Sequence, residues 1–146
     1  MNRLVLAACI ISSVFANCTI GYTLGADYQK CYKVYEQPQT YFAASHACTL
    51  DEAQLVSIHS ATENSFVLNL ITVQFGFNHW IGLTNLVNGF EWEWLDSSTV
   101  SYNAWATGQP AMQYHCATVD SDSAHWITQD CDMKLPFICI KNPCAD

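Results

Sequence analysis

His79-Trp-Ile-Gly-Leu83, followed by Asn88-Gly-Phe-Glu-Trp-Glu-Trp-Leu-Asp96, is the stretch on which the fold turns. The first five residues are largely apolar with no alternation, the pattern of a strand buried on both faces. Asn88-Gly89 is a turn signal. Beyond it, Phe90 to Leu95 alternates, which predicts a strand with Glu91 and Glu93 facing water. Trp80, Trp92 and Trp94 are expected in the core.

Working outward, three more short strands are predicted at Tyr114–Val119, Ala124–Thr128 and Phe137–Ile140. Between Asp96 and Gln113 the periodicity is weak, and Gly108, Pro110 and several Ser and Asn residues predict a long structured loop. Toward the N-terminus, Cys31–Tyr35 alternates and reads as a strand. Thr40–Cys48 is Ala-rich and reads as a short helix with Phe42 and Cys48 near one face. Ala53–Ile58 reads as another strand. Ser60 and Glu63 form an S-x-x-E capping box for a second helix. Phe66, Leu70 and Val73 recur there at helical spacing, flanked by Val67 and Ile71, and the helix is expected to end near Gln74. Two early helices and mostly antiparallel later strands give an α+β class rather than alternating βαβ units.

The chain has 146 residues, 51% of them hydrophobic and 12% charged, a composition that excludes a disordered chain. Lys+Arg 5 against Asp+Glu 13 gives a formal net charge of −8 without a basic cluster, which argues against nucleic acid or an anionic membrane as partner. Residues 1–16, MNRLVLAACIISSVFA, have a positive start, a short apolar run, and Val14 and Ala16 at the positions preceding a cleavage point. They read as a secretory signal peptide, too short in apolar length to span a bilayer. No membrane insertion is expected, and residues 17–146 are expected to form one secreted, extracellular domain. Cleavage would leave Cys18, Cys31, Cys48, Cys116, Cys131, Cys139 and Cys144, with no CxxC pair. Three disulfides and one odd thiol is the simplest account of that number. Asn17-Cys18-Thr19 is a glycosylation sequon at the expected new N-terminus.

Taken in order, these residues resemble the C-type lectin-like domain family, in its long form. The resemblance rests on Cys48 in the first helix, Trp80-Ile-Gly-Leu83, and Glu91-Trp-Glu-Trp-Leu-Asp96. It continues through Tyr102-Asn-Ala-Trp-Ala-Thr-Gly-Gln-Pro110, Cys116, Trp126, Cys131 and Leu135-Pro-Phe-Ile-Cys139. It implies an outer bridge Cys48–Cys139, an inner bridge Cys116–Cys131, and an N-terminal hairpin bridge Cys18–Cys31. Cys144 is left over as the odd thiol, either free in the tail or linking a homodimer.

Members that bind sugar through calcium take oxygen ligands from Glu-Pro-Asn or Gln-Pro-Asp and from Trp-Asn-Asp. Ca²⁺ needs six to eight such oxygens. Here the corresponding residues are Gln109-Pro110-Ala111 and Trp126-Ile127-Thr128. Ala111 and Ile127 carry no side-chain oxygen, and Thr128 offers a neutral hydroxyl. The resemblance therefore implies weak or absent calcium dependence, and no cofactor or metal ligand is assigned. Asp120 and Asp122, with Asp130 and Asp132, are read as a solvated acidic loop.

Trp105 and Gln109-Pro110, with Asn103 and His115, are the candidate ligand-binding residues: an aromatic face for stacking and polar groups for hydroxyls. Packing is the competing role for Trp105 and Trp126. Two functions remain open. One is a lectin that binds glycans, with host–microbe recognition and innate immunity as the setting the resemblance suggests. The other is a lectin-like module that binds a protein ligand through the same loop face. No enzyme is expected, because His46, His59, His79, His115 and His125 are scattered and neither HExxH nor G-x-S-x-G occurs.

Overall fold

The computed structural model describes residues 17–27, 29–71 and 76–144. The expected leader, and the last turn expected for the second helix with Val73 and Gln74, lie outside them. The described chain runs β1 (Thr23–Leu24), β2 (Cys31–Gln39), α1 (Tyr41–Leu50), β3 (Gln54–Leu55) and α2 (Ala61–Ile71). It continues through β4 (Asn78–Thr84), β5 (Glu93–Trp94), β6 (Cys116–Asp120), β7 (Trp126–Gln129) and β8 (Leu135–Lys141).

β8 organises the sheet. One edge takes β2 antiparallel, from Cys31↔Lys141 to Gln39↔Leu135. The other takes β3 antiparallel, at Gln54↔Ile140, and β4 parallel, at Trp80↔Phe137. β4 then carries β6, and β6 carries β7, both antiparallel. This is the α+β class the residue order predicted. The apolar run at 79–83 has a simple cause. Ile81 and Leu83 belong to a core cluster with Val56, Val67, Trp94 and Trp126, whereas Trp80 belongs to another with Tyr41, Leu55 and Phe137. Both faces of β4 are covered, so neither face selects for polarity.

Both helices start on side-chain caps. Thr40 Oγ1 accepts the Ala43 amide at 3.3 Å, and Ser60 Oγ accepts the Glu63 amide at 3.1 Å. The return bond of the expected capping box reaches one residue further back, from the His59 amide to Glu63 Oε2 at 2.6 Å. α1 buries Tyr41, Ala44 and Cys48, spaced to lie on one stripe. Phe42 lies off that stripe and is exposed, which corrects its expected place beside Cys48.

Two strands are shorter than predicted. Of Ala53–Ile58 only Gln54–Leu55 pairs as a strand, with one further bond from the Val56 amide to Ile138 O. Of Phe90–Leu95 only Glu93–Trp94 pairs. Phe90 is 83% exposed, Trp92 is half-buried and Trp94 is buried. The expected alternation holds from Glu91 to Trp94 and fails at Phe90, which faces water on the segment that is not paired.

Bridges join Cys18–Cys31, Cys48–Cys139 and Cys116–Cys131. Cys144 is also disulfide-bonded. In the full 146-residue chain Cys144 is therefore not free, whereas the odd thiol is expected of residues 17–146 alone. The tail is held in place by the Cys144 amide, which donates to Asn17 O at 2.8 Å.

Candidate functional site

No helix or strand lies between β5 and β6, so residues 95–115 form the long loop that the sequence predicted. Backbone bonds fasten it to β7. The Trp126 amide donates to Ala104 O at 2.8 Å, and the Ala106 amide donates to Trp126 O at 3.0 Å. The Gln109–Pro110 bond is cis, and the turn it makes directs the Gln109 side chain toward β7.

There the amide carbonyl of Gln109 is filled. Its Oε1 accepts the Thr128 hydroxyl at 2.7 Å, the Thr128 amide at 3.0 Å and the Ala111 amide at 3.1 Å. Thr128 Oγ1 also accepts the Ala111 amide, at 3.1 Å. A carbonyl oxygen has two lone pairs, so three donors leave it little capacity for a cation or a sugar hydroxyl. Thr128 is buried. Its hydroxyl proton points at the oxygen that a cation would need.

Trp105 is half-buried. Its ring meets Trp92 at 4.9 Å and 67°, and Trp126 at 5.8 Å and 83°, both edge-to-face. Trp126 is buried and donates its indole N–H to Asn64 Oδ1 at 3.0 Å. The loop thus brings Trp105 and Gln109 together on β7, with Asn103 exposed beside them. His115 directly precedes β6, at the end of the sheet where β4 finishes. Its Nδ1 is 2.8 Å from Asn85 Oδ1, and its carbonyl accepts the Thr84 hydroxyl at 2.7 Å. The acids of the 120–132 region bond their own turns. Asp120 accepts the Ser123 hydroxyl at 2.6 Å, and Asp130 accepts the Asp132 amide at 3.0 Å. Among the described residues no group of three His, Cys, Asp or Glu side chains is placed to hold a metal ion.

Two polar residues escaped the sequence reading. Asn64 lies on the buried stripe of α2 with Val67 and Ile71, and it ties α2 to β7 through Trp126 and to Ala124 O at 2.9 Å. A polar residue on an apolar stripe was the signal available. Asp96 opens the loop and accepts the Ser57 hydroxyl at 2.5 Å, the Ser98 amide at 2.9 Å and the Ser98 hydroxyl. Partial burial pushes its carboxyl up. The Ser57 and Ser98 hydroxyls, the Ser98 amide and nearby His59 outweigh that and hold it below the usual carboxylate range. Nothing local in the sequence pairs Ser57 with Asp96. The pairing follows from the Gly82 amide donating to Val56 O while Gly82 O accepts the Leu95 amide.

A stapled α+β domain with a long loop fastened to a terminal strand, and with a cis-proline turn at the loop's polar end, is a binding module. The chain belongs to the C-type lectin family, whose Lectin C-type domain model matches residues 37–141. Nattectin, a galactose-specific lectin of Thalassophryne nattereri, is 32% identical over 118 residues, covering 77% of this chain and 74% of that protein. One subunit of the snaclec coagulation factor IX/factor X-binding protein of Protobothrops flavoviridis is 32% identical over 112 residues, covering 75% of this chain and 73% of that subunit. Among solved structures, the mouse scavenger receptor C-type lectin carbohydrate-recognition domain superposes with a TM-score of 0.78 at 31% identity, covering 88% and 99%. The family is one of binding modules, not enzymes. Among the described residues no helix is long and apolar enough to cross a membrane.

Proposed function

We propose that this is a secreted, extracellular recognition protein that binds its ligand without calcium, and that the ligand is a protein surface met by the long-loop face. The observation that carries this reading is the closed Gln109–Thr128–Ala111 network, in which protein donors occupy the acceptor that calcium would use. Exposed apolar side chains at the same end of the sheet support a protein ligand. Thr84 pairs with Cys116, so the segments after β4 and before β6 emerge together. Val87 and Phe90 on the first, and Met112 on the second, are 77%, 83% and 90% exposed. Among the relatives, the snaclec is named for binding coagulation factors IX and X. Secretion is supported by the leader pattern of residues 1–16 and by the disulfides.

A glycan is the second reading. It is favoured by the half-exposed Trp105 ring beside exposed Asn103, and nattectin is named as galactose-specific.

The test uses the oxidised protein on a glycan array, with calcium and with a chelator, alongside thermal unfolding in both conditions. The expected result is no array signal and the same Tm in each. Calcium at about 100 times its Kd would add about 2.7 kcal/mol to a protein that bound it, so a Tm raised by calcium overturns the calcium-independent reading. Array binding that survives chelation and is displaced by free sugar selects the glycan.

A further inference from the structure

Charge is divided unevenly along this chain. From Val34 to Met133 there is no Lys or Arg, whereas eleven of the 13 Asp and Glu residues fall there. Lys30, Lys33, Lys134 and Lys141 lie in β2 and β8 or next to their ends. Among the described residues the one ion pair within 4 Å joins Lys33 and Asp51. Four exposed acids gather instead around the pair Thr84–Cys116. Glu93 pairs with Thr84, and Glu91 precedes it by two residues. Cys116 pairs with Gln129 and is bridged to Cys131, which Asp130 and Asp132 flank. These carboxylates face water without a counter-charge from the chain.

The apolar surface beside them is held in shape by its own loop. Asn85 is buried, and its side chain donates to Gly89 O at 3.2 Å. Its backbone accepts the Gly89 amide at 2.8 Å and donates to His115 O at 3.2 Å, so it joins the segment after β4 to the one before β6. Asn88 Oδ1 accepts the amides of Phe90 and Glu91, both at 2.9 Å. The exposed Phe90 ring therefore stands on a turn whose shape is set before any partner arrives, which leaves less freedom to lose on binding. Phe and Met are residue types enriched at protein interfaces. The acids then select the partner, because unpaired carboxylates steer a cationic surface inward and repel an anionic one. A second copy docked face to face would set acid against acid. On the reading that the long-loop face binds a protein, we infer that its partner is a basic protein surface, with apolar side chains over Phe90 and Met112 and Lys or Arg side chains against Glu91 and Glu93.

The probes are two N-acetylated, C-amidated peptides, Gly-Arg-Leu-Arg-Phe-Arg-Gly and its counterpart with glutamine at each arginine. Each is titrated into the oxidised full chain and followed by amide NMR shifts. The arginine peptide is expected to move the amides of residues 86–93 and 112–115 in one saturable process. It should bind about fivefold more tightly than the glutamine peptide, the worth of two exposed charge contacts, and lose that advantage as NaCl rises from about 50 to about 300 mM. Glu91→Gln with Glu93→Gln should remove most of the advantage, and glutamine at 91 keeps an acceptor for Asn88 Nδ2. Phe90→Ser should weaken both peptides about fivefold at an unchanged Tm. Equal affinity of the two peptides at residues 86–93 overturns the basic partner and leaves the protein-binding face standing. Shifts from the arginine peptide confined to residues 120–123 show attraction by charge alone and overturn the inference. So does the failure of both peptides to shift residues 86–93. Only array binding displaced by free sugar overturns the protein-ligand reading with it.

Discussion

At the residue scale, the polar groups that matter are those whose partners are fixed by the fold. His79 is the clearest case. It is fully buried in β4, its Nδ1 lies 3.0 Å from Phe77 O, and its Nε2 has no partner. Burial lowers its pKa from the ordinary value, and the bond to Phe77 O only partly opposes that. The folded protein therefore resists a proton that the unfolded chain accepts. Stability from this group is complete above about pH 6.5 and is lost as pH falls toward the lower folded-state value, at up to about 1.4 kcal/mol per pH unit. Urea unfolding between pH 7.5 and 5 should show that decline, and His79→Gln should flatten it while leaving the other four histidines in place. Equal slopes in the two proteins would assign the decline to another group. Thr128 is a different case. As a substitution for an acid it was legible in the sequence. Its bond to Gln109 was not, because that requires the loop turn to face β7.

At the element scale, Gly82 shows why the Trp-Ile-Gly-Leu motif carries a glycine. A Cβ at this position would stand 2.6 Å from Leu55 O, the carbonyl of β3. β3, β4 and the start of the long loop are drawn together here, since Gly82 bonds both Val56 and Leu95 through its backbone. A methyl group would push against backbone rather than against a movable side chain. Gly82→Ala should cost about 1–3 kcal/mol or more, read as a lower urea midpoint at unchanged m-value. It should also displace Asp96 from Ser57, visible in the amide shifts of Ser57 and Ser98. An unchanged midpoint would mean that β3 can withdraw freely. Elements buried on both faces were the most legible, because uninterrupted apolar sequence has few other causes. β1 and the shortened β3 and β5 were less so. Their pairing depends on which strand end lies alongside, and residue pattern records water exposure rather than partner.

At the scale of the whole molecule, the bridges act on very different loops. Cys48–Cys139 joins α1 to β8 across 91 residues, whereas Cys116–Cys131 closes 15 residues beside the long loop. In the chain-entropy model the first contributes roughly 4–5 kcal/mol and the second roughly 3 kcal/mol, because the longer loop removes more freedom from the unfolded chain. The dependence is logarithmic, so a sixfold difference in length separates them only modestly. Packing widens the gap: Cys48 and Cys139 are both buried with Leu55, Trp80 and Phe137, whereas Cys131 is half-buried. Cys48→Ala with Cys139→Ala should therefore destabilise the domain more than Cys116→Ala with Cys131→Ala, measured by urea unfolding under oxidising conditions. The inner pair should have the larger effect on the loop, since the same strand end carries His115 and the Asn85 contact. Faster amide exchange in residues 102–115, at a global stability above that of the outer-pair variant, is the expected pattern. The reverse order of stabilities would show that native contacts around the inner bridge outweigh loop closure, and that the long-loop face is tied into the cooperative core.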